Sequence, residues 1–202
     1  MRLRPVLALI VPTLLALAAC TTAVAGTPVN GDSVVTDNPG GESGVDSSFV
    51  RNSDGGEIDR LAATVVTDVQ QYWKDTFPGT FGTEWKDLEG GYYSVDTADD
   101  DAKAPPCARR ASDVEGNAFY CPTEDVIAWD RAALLPVLKE KFGEAAVMFV
   151  LAHEMGHAVQ RRTGLTIEEQ RGNPDKYPTI LIEAQADCYA GSFVRWVAPG
   201  AS

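Results

Sequence analysis

The apolar run from Phe149 to Val159 carries three ionisable side chains in its middle, His153, Glu154 and His157. Phe149, Val150, Leu151, Ala152, Met155, Gly156, Ala158 and Val159 are uncharged, so a helix through this stretch is buried around one polar cluster. On an α-helix, residues four apart are rotated by about 400°, which sets the two imidazoles about 40° apart on one face, able to share a metal ion. Glu154 lies about 100° round from His153, beside an open coordination position. There it can take a proton from an attacking water and pass it to a leaving amine. Desolvating two histidines and a glutamate without compensation costs several kcal/mol, and a bound metal supplies the compensation. The run His153-Glu154-Met155-Gly156-His157 is therefore expected to hold two zinc ligands and a catalytic base.

The chain has two histidines and this motif uses both, so a third ligand is an acid or Cys188. Glu168, Glu169 and Asp175 fall in a polar stretch with Gly and Pro, whereas Glu183, Asp187 and Cys188 fall in an apolar one. Glu183 and Asp187 are four apart and share a helix face, while Cys188 points about 140° away from Glu183. Glu183 is the expected third ligand of a single Zn2+. Asp187, one turn on, can accept a hydrogen bond from the second ring nitrogen of a ligand histidine, fixing its tautomer and raising its basicity.

At the N-terminus, Arg2 and Arg4 precede an apolar run from Val6 to Ala19 that ends at Cys20. This is the layout of a secretory signal, and at about 14 residues with Pro12 inside it, the run is too short for a helix spanning a bilayer, which needs roughly 20. Leu17-Ala18-Ala19-Cys20 resembles the lipobox of bacterial lipoproteins. The expectation is a signal peptide over 1–19, a lipidated Cys20 opening a disordered tether over 20–56, and one domain over 57–198. The protein is then an exported lipoprotein, held to the cell membrane by its lipid and facing the extracytoplasmic side. A net charge of −12 disfavours nucleic acid and anionic head groups as partners. In an oxidising exterior, a Cys107–Cys121 bridge would close a loop of about 15 residues, worth about 3 kcal/mol.

Residues 21–56 are rich in Thr, Ser, Gly, Asp, Asn and Pro without any apolar period, whereas Ile58, Leu61, Ala62, Val65, Val69, Tyr72 and Trp73 recur at helical spacing. That predicts a helix ending before Pro78. Tyr92 to Val95, Asn117 to Tyr120 and Val126 to Trp129 are strand candidates. Helical periodicity resumes near Asp130, strengthens over 144–162 with Gly164 as a C-cap, and returns from Thr179 to Val197. Strands early and helices late predict an α+β domain, a small sheet packed against the motif helix and a C-terminal ligand helix.

The string from Leu151 to Gln160, followed by Glu183-Ala184-Gln185-Ala186-Asp187-Cys188-Tyr189-Ala190-Gly191, resembles the neutral zinc metallopeptidase family of bacterial membrane-associated proteins, within the gluzincins. Phe119-Tyr120-Cys121-Pro122 with Cys107 upstream, and Tyr72-Trp73 before Phe77-Pro78, share in the resemblance, which covers roughly residues 58–198. It implies a zincin-like fold, with Glu183 as third ligand and Asp187 behind a histidine. It also implies that Val126 to Trp129 is the edge strand pairing with an extended peptide substrate. Larger gluzincins continue into a segment that walls the leaving-group side and supplies a His or Tyr for the oxyanion. Here the sequence ends at Ser202 and no histidine is left, so Tyr189, Tyr177 and Arg195 are the candidates.

Two functions follow as expectations. One is a zinc-dependent peptidase cleaving peptide or protein substrates, more an endopeptidase than an exopeptidase. The other is a catalytically inactive surface lipoprotein that keeps zinc for recognition or scaffolding.

Overall fold

The computed structural model describes residues 45–198; the signal segment, Cys20 and the tether as far as residue 44 lie outside them. Along the described chain run β1 (Val50–Arg51), α1 (Glu57–Phe81), β2 (Gly91–Val95), β3 (Ala118–Cys121), β4 (Val126–Asp130), α2 (Leu134–Phe142), α3 (Glu144–Arg162), α4 (Ile167–Gly172) and α5 (Thr179–Val197). The domain is α+β, as expected. The sheet order is β1-β2-β4-β3, with β2 parallel to both β1 and β4, and β3 antiparallel to β4. Helices α1 and α3 bury the apolar core against one face of the sheet. On the other face Val95, Ala111, Val114 and Phe119 form a smaller cluster under the loop joining β2 to β3. Among the described residues no helix is long and apolar enough to cross a membrane.

Four expectations are corrected. The first concerns Val126 to Trp129, which is not an edge strand: β4 lies between β2 and β3 and all five of its residues are buried. An unbroken apolar run is what burial on both sheet faces selects. The free edge next to the helices is β3. Second, folded structure begins before residue 57. Val50 is buried as part of β1, and the buried carboxylate of Asp59 in α1 accepts the Asp54 N–H at 2.7 Å and the Ser94 hydroxyl from β2.

Third, α1 runs through Pro78 to Phe81 and ends at Gly82, whose left-handed backbone (φ 75°) lets its N–H reach the Pro78 carbonyl at 2.9 Å. A helical proline costs about 3 kcal/mol. Here the tilted rings of Phe77 and Phe81 have centroids 4.7 Å apart and Trp85 meets Phe77 edge-on at 5.3 Å, so the last turn is held by aromatic packing. Fourth, the helical stretch from Asp130 to Arg162 is two helices, broken at Gly143 with φ 80°. At its far end α3 stops as expected. Gly164 takes φ 103° and the N–H groups of Gly164 and Leu165 close on the carbonyls of Arg161 and Gln160, a Schellman pair.

Asp130 closes β4 and starts α2. Its buried carboxylate accepts the N–H groups of Gly116, Ala132, Ala133 and Leu134 and the Thr97 hydroxyl at 2.8–3.2 Å. Burial pushes this carboxyl up, but the N–H and hydroxyl donors outweigh it and hold it below the usual range. A depressed folded value means the stabilisation is present above the unfolded value and disappears as pH falls through the folded one. Asp130→Ala is expected to cost about 3 kcal/mol at pH 7, from lost charge-assisted hydrogen bonds and stranded N–H groups. In urea melts against pH, the gap to wild type should close on acidification. A gap that persists at the acid end would refute the role given to the charge.

Candidate active site

The site is built where α3 meets α5 and the outer edge of β3. Gly156 of α3 stands against Ala186 of α5 so closely that a Cβ on it would lie 2.9 Å from the Ala186 carbonyl oxygen. That approach brings the motif helix and the acidic helix within ligand-sharing distance. The structure places His153 Nε2 at 3.2 Å and His157 Nε2 at 3.5 Å from Glu183 Oε2. Two ligands of a tetrahedral zinc, each about 2.0–2.1 Å from the ion, sit roughly 3.4 Å apart, so the donor set fits the ion in kind and in spacing. Among the described residues this is the one group of three His, Cys, Asp or Glu residues close enough to hold a metal.

Both imidazoles are oriented from behind. Asp187 Oδ1 lies 2.8 Å from His153 Nδ1, in the place expected for it. Gln160 Oε1 lies 2.9 Å from His157 Nδ1. The amide of Gln160 has one consistent orientation, because its Nε2 donates to the Ile182 carbonyl at 2.6 Å and to Gln185 Oε1 at 3.1 Å. Its oxygen must therefore accept from a protonated Nδ1 of His157. A carboxylate does the same to His153, so in the neutral tautomer that these partners select, each ring turns the lone pair of Nε2 toward the shared centre. Sequence reasoning missed the role of Gln160. Its position three residues after His157, buried in an apolar helix, was the signal available.

Glu154 is 8% exposed and its Oε2 accepts the N–H of Tyr120 at 2.8 Å. Burial raises its carboxyl to about 7, against the pull of His153 and the Tyr120 N–H and with a further push from Glu183. The bond also sets the geometry of the edge. Asn117 pairs with Asp130 of the β4 side through its carbonyl, so the backbone groups of Ala118 and Tyr120 turn outward, and the Tyr120 N–H is one of them.

The β3–β4 hairpin is fastened to the end of α3 by Arg162, which uses all five guanidinium N–H groups. They reach both oxygens of Asp125 (3.2 and 3.0 Å) and the carbonyls of Lys86, Asp87 and Ala158, with Trp85 stacked at 4.6 Å. Asp125 in turn accepts the Tyr120 hydroxyl at 2.7 Å. Burial raises the Asp125 carboxyl, but the Glu89 N–H, the Tyr120 hydroxyl and Arg162 outweigh it and hold it low. The strand bearing the Glu154 contact is thereby locked to the helix bearing Glu154.

Other candidates fall elsewhere. Glu168 and Glu169 open α4, and Asp175 follows it; none joins the ligand group. Tyr189 is buried against Trp73 and Phe81 in the core, and the Tyr177 hydroxyl lies 3.3 Å from Glu169. Arg195 sits two turns beyond Asp187 on α5. Cys107 and Cys121 form the expected disulfide.

A small mixed sheet whose antiparallel edge strand lies against a His-Glu-x-x-His helix, with an acid delivered from a later helix, defines a zincin-like domain. The chain belongs to the family described as "Putative neutral zinc metallopeptidase", whose family model matches residues 9–199. It is 36% identical over 137 residues to the uncharacterized protein Rv2575 of Mycobacterium tuberculosis, covering 65% of this chain and 42% of that protein. It is 32% identical over 82 residues to the uncharacterized protein YpfJ of Escherichia coli K12, covering 36% of this chain and 28% of that protein. The chain thus spans less than half the length of these relatives. No solved structure matches it.

Proposed function

We propose that the protein is a zinc-dependent endopeptidase working on the extracytoplasmic side of a membrane, to which a lipid on Cys20 holds it. The observation that carries the catalytic part is the convergence of His153 Nε2, His157 Nε2 and Glu183 Oε2 within 3.2–3.5 Å contacts, next to a buried Glu154. A zinc ion held by these three residues supplies Lewis acidity to a scissile carbonyl and to the attacking water. His153 and His157 are kept in the ligating tautomer by Asp187 and Gln160. Glu154, with one oxygen fixed on the Tyr120 N–H, takes the proton of the attacking water on its carboxylate and returns it to the leaving amine. With the Tyr120 N–H held by Glu154, an extended substrate adds to the outer edge of β3 through the N–H and carbonyl of Ala118 and the carbonyl of Tyr120, which aligns internal peptide bonds over the site. The Arg2/Arg4 and lipobox pattern supports export, and the Cys107–Cys121 disulfide agrees with an oxidising compartment.

The test is to incubate the zinc-loaded protein with a denatured protein mixture and map new termini. Internal cleavages that vanish with a chelator and return with added zinc are expected. A zinc-loaded protein producing no new termini would refute the peptidase reading in favour of a binding-only lipoprotein.

A further inference from the structure

Beside the outer edge of β3 lies a cavity of about 690 Å³ between the strand and the loop that the Cys107–Cys121 disulfide ties to it. Its apolar part is made by Phe119, Pro122 and the disulfide, and Arg109 and Arg110 also line it. Phe119 packs with Val95, Ala111 and Val114, so the cavity opens on the sheet face opposite the helices. Side chains of an added strand alternate between the two faces of the sheet. Every second side chain of a peptide laid along β3 therefore stands on the cavity side.

The charge of this cavity runs against that of the chain, whose net is −12. Asp113 lines it too, but its carboxylate is already engaged by the N–H groups of Arg109 and Arg110 at 3.0 and 3.1 Å and by the Arg110 guanidinium at 3.3 Å. Among the described residues Arg109 is exposed and no carboxylate pairs with its guanidinium. Arg110 is thus matched by Asp113, which leaves the guanidinium fork of Arg109 as the uncommitted charge among the apolar lining. A carboxylate-bearing side chain satisfies both parts: its methylene groups lie on Phe119 and Pro122 while its charge meets Arg109. A lysine brings a like charge to the same spot.

The geometry points to this cavity as a specificity pocket for an acidic substrate side chain, Asp or Glu, on the residue that shares the Phe119 face, with Arg109 as the selecting residue. The inference rests on the edge-strand mode proposed above, and its test is therefore read by binding as well as by cleavage. Extended peptides blocked at both ends, identical except for Glu, Gln or Lys at each position in turn, are titrated by fluorescence anisotropy against the full zinc-loaded protein and its Arg109→Ala and Arg109→Glu variants. At one position Glu should bind roughly five- to tenfold tighter than Lys; Arg109→Ala should level the two and Arg109→Glu should reverse them, all with unchanged zinc content. An unblocked C-terminus should add nothing; a preference that appears only with a free C-terminus would mean that the fork reads a terminal carboxylate, and would overturn the proposal. So would equal binding of Glu and Lys peptides at every position, or a Glu preference that survives Arg109→Glu. Cleavage is followed in the same samples, so selective binding without hydrolysis would refute the peptidase reading alone.

Discussion

Glu154→Gln is expected to keep zinc at wild-type stoichiometry and to lower kcat on a peptide substrate by about 10³-fold, the scale of losing a positioned general base. The amide is nearly isosteric with the carboxylate, and its oxygen can still accept the Tyr120 N–H now made at 2.8 Å, so the strand and helix stay docked. None of the three ligand atoms belongs to Glu154, so the metal has no reason to leave. What disappears is the capacity to hold a proton between the water and the leaving amine. Metal analysis and steady-state kinetics on the same preparation decide the matter. A variant with more than a tenth of wild-type kcat would remove Glu154 from the role of base, and a variant that loses zinc would make it a ligand instead.

The grouping of His153, His157 and Glu183, with Glu154 beside them, was legible in the sequence because each position depends on spacing along one helix. His153 and His157 are one turn apart, as are Glu183 and Asp187, and the helical period fixes which side chains share a face. Contacts between elements were not legible. The Tyr120 partner of Glu154 is a backbone N–H, which has no residue signature, and Gln160 acquires meaning only once Ile182 and Gln185 are packed beside it. The choice of edge strand went wrong although the chain held the information. Val126 to Trp129 is continuously apolar, the mark of a central strand, whereas in β3 Phe119 and Tyr120 are half-buried, as at an edge. Pro78 misled for a different reason: its local cost is real, but Trp73, Phe77 and Phe81 repeat every four residues across it, and their edge-on and tilted ring packing outweighs the break.

Gly156 and Gly191 are both helical glycines in this site region, and opposite outcomes are expected from filling them. On helix propensity alone, replacing a glycine inside a helix gains about 0.5–1 kcal/mol. At Gly191 of α5 nothing lies within 4 Å of an added Cβ, so Gly191→Ala should gain about that amount and leave zinc binding alone. At Gly156 the added Cβ meets the Ala186 oxygen at 2.9 Å, its Cα at 3.0 Å and its Cβ at 3.2 Å, two of them rigid backbone atoms. Gly156→Val must therefore push α5 away from α3, at about 1–3 kcal/mol for overpacking, which outweighs the propensity gain. The same movement separates Glu183 from His153 and His157 and Asp187 from His153, so zinc affinity should fall by about 10- to 100-fold. Thermal melts of the metal-free proteins and zinc competition titrations test both halves. Wild-type zinc affinity in a folded Gly156→Val protein would show that the α3–α5 approach does not set the ligand geometry. A loss of affinity in Gly191→Ala would show that α5 itself, rather than its distance from α3, is the sensitive part.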